Sequence, residues 1–583
     1  MQFLKRFRTA IVLILFSAIY VLLAVTSYSR ESATWDEPQH LTAGYVALKL
    51  RDYRIDAENP PFLDIWAALP LLITQGVVFE ADKLPTDQGR PQLIFNPPRY
   101  CHQFFNVLND PDRLLYRARF MIVLLGLLLG VLVFCWARDL LGWPTACAAL
   151  FIYCFEPNML AHARLVTTDL GVTCFAFGTV YLLWRTCLQL SWLNMLGLSA
   201  FFALAQISKF TALLLFPVVA VLLLVRAMRS GPWACDLPRF RNIVSRRCKV
   251  GVALLIVLHL FMLSYLTIWA AYSFRYTPTP APIERARFEV SQLVYKDLPM
   301  LSAAAHWVDR HRLLPNAASM GFLFGQWKAQ RRATHLGEAY RAGGIWYYVP
   351  TAFVLKTPLL LLLLIFVGVV ACARHWRKIG PEALFILVPM VVFQGVALQS
   401  GLNVCLRHVL PIYPFGLLLA TLGIEPLLVH SRRAVVALLA VVWLAEFAFI
   451  YPHYLASFNE LIGGPAHGYK YMADSSLDWG QDLKGLKRWM DDNGVRHINL
   501  AYFGTADPDY YGILYTRLPG TETGFARAPT EPPRLPGYVA VSVTHLHGVY
   551  FQSRKNLYRP LLERRPQAVI GHSIHVYWLD QEW

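Results

Sequence analysis

Charge is scarce in this chain: Asp, Glu, Lys and Arg make up 16% of 583 residues, against 56% hydrophobic ones, and the mean hydropathy is +0.40. A soluble domain carries roughly a quarter of its residues as charges, so a single water-covered core is excluded. The sequence also has no Gly-rich dinucleotide fingerprint and no P-loop, the usual backbone cradles for a nucleotide. None of its ten cysteines lies beyond Cys405, and most of them fall in apolar runs or basic loops, so the last part of the chain owes nothing to disulfides. No solenoid repeat or long low-complexity linker breaks it up.

What fills the sequence instead is a series of apolar runs. Residues 8–28 follow Lys5, Arg6 and Arg8 and are long enough to span a bilayer. The run is longer than the core of a signal peptide and no small-residue cleavage site follows it, which predicts an uncleaved first helix with its N-terminus inside. Further spans are expected at about 119–137, 143–156, 169–187, 192–207, 210–227, 250–272, 351–372, 382–399, 409–428 and 434–451, about eleven helices in all. Several are short for a hydrocarbon core of about 30 Å, notably 143–156.

The net charge of +17 need not mean a nucleic-acid partner. The basic residues gather around Arg138, Arg185, the segment RAMRSGPWACDLPRFRNIVSRRCK, RHWRK at 374–378 and SRR at 431–433, the loops expected inside. The positive-inside rule then predicts an outside C-terminus.

This leaves a membrane region, 1–452, with outer loops at about 29–118 and 273–350, and a soluble periplasmic tail, 453–583. In the first loop FLDIWAALPLLIT at 62–74 is too short to span and reads as an interfacial helix. In the tail DLKGLKRWMDDNG has helical spacing, and HINLAYFG, GYVAVSVTHL and HSIHVYWLD alternate like half-buried strands. The expected fold is a polytopic α-helical membrane protein with a C-terminal extracytoplasmic α/β domain.

Candidate chemistry lies at the outer ends of the spans. Asp36 and Glu37, in ATWDEPQHLTAGYVAL, suit the first turn of a helix, where the dipole stabilises carboxylates by about 0.3–1 kcal/mol. They equally suit a general base and an orienting group. In HARLVTTDLGVTCFAF, His162, Arg164 and Asp169 form either a structural ion pair or a site, since charge at such depth faces a cavity or another charge. Lys209 in SKFTALLLFP, and Arg407 with His408 in LNVCLRHVLPIYPF, are outer-face cations running against the charge rule, which makes an anionic partner such as a lipid phosphate plausible. Asp36, Glu37, His40 and His102 leave a divalent metal open, although no recognised zinc spacing occurs. In the tail Asp478, Trp479 and Gln481 suit either sugar contact or a packed helix start.

The order of WDEPQH, ENPPFLDIW, HARLVTTD, SKFTALLLFP, WYYVPTAFVLKTPLLLLLL and LRHVLPIYPF resembles the polyprenyl-phosphate-dependent glycosyltransferases of the GT-C class, which include protein O-mannosyltransferases and aminoarabinose transferases of lipid A. The resemblance covers residues 1 to about 450; the tail is similar to that of a bacterial group in the class and lacks lectin-like repeats. It implies that Asp36 deprotonates the acceptor and that Glu37 orients it or the acceptor. It further implies that Lys209 and Arg407 contact the carrier phosphate, that Lys356 in LKTP could face it, and that Asp169 matches an acid of the fourth helix. The partners implied are a polyprenyl-phosphate-linked sugar, membrane lipids, and a protein, lipid or glycan acceptor, with no nucleic acid. A lipid-linked-saccharide transporter or flippase is the alternative, but such proteins place ionisable groups near the midplane and show inverted repeats. A binding tail on a passive anchor would need only one helix.

Overall fold

A computed structural model describes residues 2–84, 98–236, 242–280, 288–331, 333–337, 339–342, 344–401, 403, 406–430, 432–521, 530–551 and 556–583. All eleven apolar segments are helical, but they do not make eleven full-length spans. Among the described residues eight helices are long and apolar enough to cross a bilayer, from Phe7–Tyr28 to Arg433–Ile450. The segment expected at 351–372 is broken into Tyr348–Lys356 and Leu359–Arg374, bent by 112°. Pro358 causes the break: it has no N–H to donate, and it disfavours helical backbone at Thr357, which is extended at ψ 130°. Trp143–Cys154 and Trp192–Gln206 are helices of 12 and 15 residues, short for a span.

The helices differ in what surrounds them. Asp169–Leu188 is buried on nearly every side and forms the centre of the bundle. Phe7–Tyr28 and Arg433–Ile450 turn large apolar side chains outward, among them Ile14, Leu22, Leu438 and Phe449, as helices facing acyl chains do. Leu359–Arg374 and Tyr413–Val429 touch at Gly368, where a Cβ would stand 1.9 Å from the Leu419 carbonyl oxygen; only glycine permits that approach.

Outside the bundle the first loop folds into Glu37–Leu50, then Phe62–Ala68 continued by the 3-10 turn Leu69–Ile73. The tail contains the expected helix, Leu483–Asp492, whose Leu483, Leu486 and Met490 are buried at helical spacing and which ends just before Gly494 at φ +65°. The expected strands form at Ile498–Ala501, Gly537–Ser542 and Ile574–Leu579, and Tyr515–Arg517 and Ala568–Ile570 join at the edges. In the five-stranded sheet Ile498–Ala501 pairs parallel with Tyr515–Arg517 and Gly537–Ser542, and the remaining pairs are antiparallel.

The tail is joined closely to the first loop. The Ser32 N–H donates to the Gln481 carbonyl and the Trp35 N–H to the Trp479 carbonyl, each at 2.9 Å. Trp35 also stacks on Phe503 with ring centres 4.9 Å apart. Gly480 makes the joint: at φ +88° its backbone lies against Gly504, and its carbonyl accepts from Ser32 Oγ and Tyr502 Oη.

Asp478, beside this joint, is fully buried, with Oδ2 accepting from the Thr544 N–H at 2.8 Å and Oδ1 unpartnered among the described residues. Burial above all, opposed by the Thr544 bonds and reinforced by Asp482 and Asp474, pushes its carboxyl up from 3.8 to about 8. The unfolded chain releases this proton near pH 4 and the folded chain only near pH 8, so the group lowers stability as pH rises across that window. Asp478→Asn should therefore raise Tm at pH 8 and have little effect at pH 4, as measured by intrinsic fluorescence melting in detergent. An equal shift at both values would refute the assignment.

Candidate active site

Asp36 occupies the N-cap of Glu37–Leu50, yet its side chain makes no capping hydrogen bond. Its carboxylate reaches the start of a distant helix: Arg407 Nη1 lies 2.8 Å from Asp36 Oδ2 and 3.6 Å from Asp169 Oδ2. Lys209 Nζ pairs with the other oxygen of Asp169. The result is a row of alternating charge, Asp36, Arg407, Asp169, Lys209. Its ends are the accessible members, Asp36 at 29% and Lys209 at 16% side-chain exposure, whereas Asp169 is at 1%.

Four helical starts converge on this row. Asp169 begins Asp169–Leu188, Lys209 precedes the turn Phe210–Leu214 that leads into Leu215–Met228, Arg407 lies in the turn Leu406–Ile412 before Tyr413–Val429, and Asp36 caps Glu37–Leu50. A helical start carries the positive end of the helix dipole, an arrangement that favours a bound anion. The Arg407 guanidinium stacks over Trp479 at 4.1 Å, which holds its plane fixed. His408, half-buried, is within electrostatic reach of Asp169. Burial above all, opposed by the Asp169 charge and reinforced by Arg407, Lys356 and Arg164, holds the neighbouring His162 down at about 3, so it is neutral.

The other sequence candidates are placed elsewhere. Glu37 is fully buried, paired with Arg119 through bonds of 2.8 and 2.6 Å and accepting from the Thr34 and Val166 N–H groups. Burial alone would raise its pKa, but Arg119 and these N–H groups hold it below the usual carboxylate value. Arg164 pairs with Glu31, so the expected neighbourhood of Arg164 and Asp169 divides into two ion pairs. Lys356 is buried and donates to the carbonyls of Leu455, Ser457 and Ser476 at 3.0, 3.0 and 2.6 Å, which directs its ammonium into the tail junction. Trp479 is a buried platform for Arg407, and Gln481 supports the same turn by accepting from the Trp479 N–H. Asp36, Glu37, His40 and His102 do not gather: His40 joins Asp56 and Asp64, and His102 lies 3.8 Å from Asp507.

Sequence reading passed over Arg119, Glu31, Asp56 and Asp64. Arg119 was detectable as a charge inside the 31-residue apolar helix Pro111–Leu141. Asp56 lies two residues before the ENPPFLDIW motif and Asp64 within it, but nothing in their spacing discloses His40 as the shared neighbour.

Fixed charges at helix starts beneath a sheet domain mark a many-spanning membrane protein with a charged outer-end site. More particularly, the chain resembles the GT-C glycosyltransferases: residues 104–237 match the model of the dolichyl-phosphate-mannose-protein mannosyltransferase family, a stretch that includes Arg119, Arg164, Asp169 and Lys209. No curated protein matches the chain by sequence. Among solved structures, the oligosaccharyltransferase of Archaeoglobus fulgidus in the apo form is similar at 12% identity, over 92% of this chain and 62% of that one, with a TM-score of 0.47. The chain thus spans 62% of that enzyme's length. ArnT from Cupriavidus metallidurans bound to undecaprenyl phosphate is similar at 14% identity over 97% of both chains, with a TM-score of 0.27.

The Glu37–Arg119 pair yields a direct test. Removing one partner of a buried pair strands the other charge, at a cost of about 3–5 kcal/mol. Arg119→Ala and Glu37→Ala should each sharply reduce the yield of monodisperse, detergent-stable protein; wild-type Tm in both would show that the pair does not hold the fold.

Proposed function

We propose that this protein is an integral-membrane glycosyltransferase that moves a sugar from a polyprenyl-phosphate carrier to an acceptor at the outer face of a bacterial inner membrane. The observation that carries this reading is the row Asp36, Arg407, Asp169, Lys209 at four helical starts, with a carboxylate at one accessible end and cations beside it. The basic inner loops support a cytoplasmic N-terminus and a periplasmic tail. The match to a mannosyltransferase family supports sugar as the transferred group.

In the proposed reaction Asp36 accepts the proton of the acceptor hydroxyl or amine as that atom attacks the anomeric carbon. The bond from that carbon to the phosphate oxygen breaks, its electron pair stays on the phosphate, and attack from the opposite face inverts the centre. Arg407 and Lys209 neutralise the departing phosphate, and the helical starts add fixed dipoles that need no reorganisation. Asp169 holds the two cations together and is the carboxylate that an incoming phosphate competes with. His408 borders the same space. Glu37, Arg164 and Lys356 act as positioning residues here: their pairs fix the loop, the bundle and the tail around Asp36.

Turnover of synthetic polyprenyl-phosphate sugars in nanodiscs tests this reading. Asp36→Asn should lower transfer by about 10²-fold or more, the range of general-base contributions, with donor binding retained. Unchanged turnover would remove Asp36 from the chemistry. Hydrogen bonds to charged groups contribute about 1.5–3 kcal/mol, so Arg407→Ala should weaken donor binding by about tenfold or more. A defect confined to acceptor KM would instead remove Arg407 from the phosphate site.

A further inference from the structure

A second polar centre lies one helical turn from Asp36. His40 follows Asp36 by four residues on Glu37–Leu50, and its Nδ1 lies 2.9 Å from Asp64 Oδ1 and 3.1 Å from Asp56 Oδ2. All three side chains are buried, and the three atoms lie within 4.8 Å of one another. A neutral imidazole has one N–H at most on that nitrogen, too few for two carboxylates. Among the described residues no lysine or arginine pairs with either acid; His40 is the cationic partner of both. Two carboxylates in so dry a place are costly without a cation between them.

A separate observation points into the same space. The Tyr272 hydroxyl, on a side chain buried to 97% at the end of Arg246–Ala271, has no hydrogen-bond partner among the described residues. After burial itself, the Asp56 charge is the largest influence raising its pKa, and Asp64 contributes too, so the phenol lies in the field of these two acids. The backbone around the cluster is also drawn tight: a Cβ at Gly44 would stand 1.9 Å from the Asp64 carbonyl oxygen, so Glu37–Leu50 and Phe62–Ala68 meet main chain to main chain.

The geometry points to a divalent transition-metal site formed by His40 Nδ1, Asp56 Oδ2 and Asp64 Oδ1. One imidazole with two carboxylates suits Zn2+ or Mn2+ better than Mg2+ or Ca2+, which favour all-oxygen shells. Bond lengths of about 2.1 Å around a tetrahedral ion put ligand atoms about 3.4 Å apart. The observed 2.9 and 3.1 Å therefore need an opening of only a few tenths of an ångström.

The ion would act as a clamp on the loop that carries Asp36. Asp56 Oδ2 also accepts from Asn59 Nδ2 at 3.1 Å, and Asn59 Oδ1 accepts from Thr168 Oγ1 at 3.3 Å, next to Asp169. The clamp thus ties both acidic members of the charge row to one point, and it stands whether or not the protein transfers a sugar.

The test uses the full-length protein in detergent, stripped with EDTA, reloaded with ZnCl2 or MnCl2, desalted, and assayed by mass-spectrometric metal analysis and melting. About one equivalent of one of the two metals and a Tm raised by several degrees are expected, with uptake falling to background in the monodisperse fractions of Asp64→Asn and His40→Gln. Wild-type protein that takes up neither metal and melts unchanged would overturn the site and leave a proton-sharing cluster. Uptake equal in wild type and both variants would overturn it as well, by placing the metal elsewhere. The wild-type stripping and reloading remain decisive even if a variant fails to fold.

Discussion

The guanidinium of Arg407 is the point on which three separate parts of the chain agree. It meets Asp36 from the first outer loop, Asp169 from the central helix and the ring of Trp479 from the tail. A guanidinium bridges them well because it is planar: its edge serves two carboxylates while its face rests on an indole. A lysine ammonium has no such face. The side chain is 8% exposed, and in so dry a place each of these contacts is stronger than it would be in water.

Buried charge appears here in two forms. Glu37 with Arg119, and Glu31 with Arg164, are closed pairs sealed from solvent, and the first of them is filled out by main-chain groups. They fix the path of the loop over the bundle. The row from Asp36 to Lys209 is open at its ends, and its members alternate, so an arriving anion can exchange with a carboxylate without leaving a cation bare. Closed pairs give rigidity, and an open row gives binding. The contrast explains why adjacent acids, Asp36 and Glu37, have different work although the helix dipole treats them alike.

Much of the fold was legible because hydropathy and alternation are local properties. The apolar helical segments, the helix Leu483–Asp492 and three strands of the sheet follow from them directly. The break at Pro358 was visible as a residue but hidden by the average: a window over 351–372 is apolar throughout, and bending does not change its composition. The charged candidates Asp36, Asp169, Lys209 and Arg407 stood out individually as ions at apolar boundaries. Their pairing did not, because Arg407 and Asp36 are separated by 371 positions and Arg119 and Glu37 by 82. Which cation meets which carboxylate is a property of how helices cross, and Lys356 shows the same limit, since it donates to main-chain carbonyls 99 to 120 positions further along the chain.

The seam between the first loop and the tail has a consequence for the making of the protein. Ser32 and Trp35 bond to Gln481 and Trp479, partners synthesised more than four hundred residues later. The early part of the chain must therefore wait, its half of the seam unmatched, until the tail has been made. Arg407 finds its aromatic seat only then. A chain halted before its tail emerges would carry its central arginine unseated.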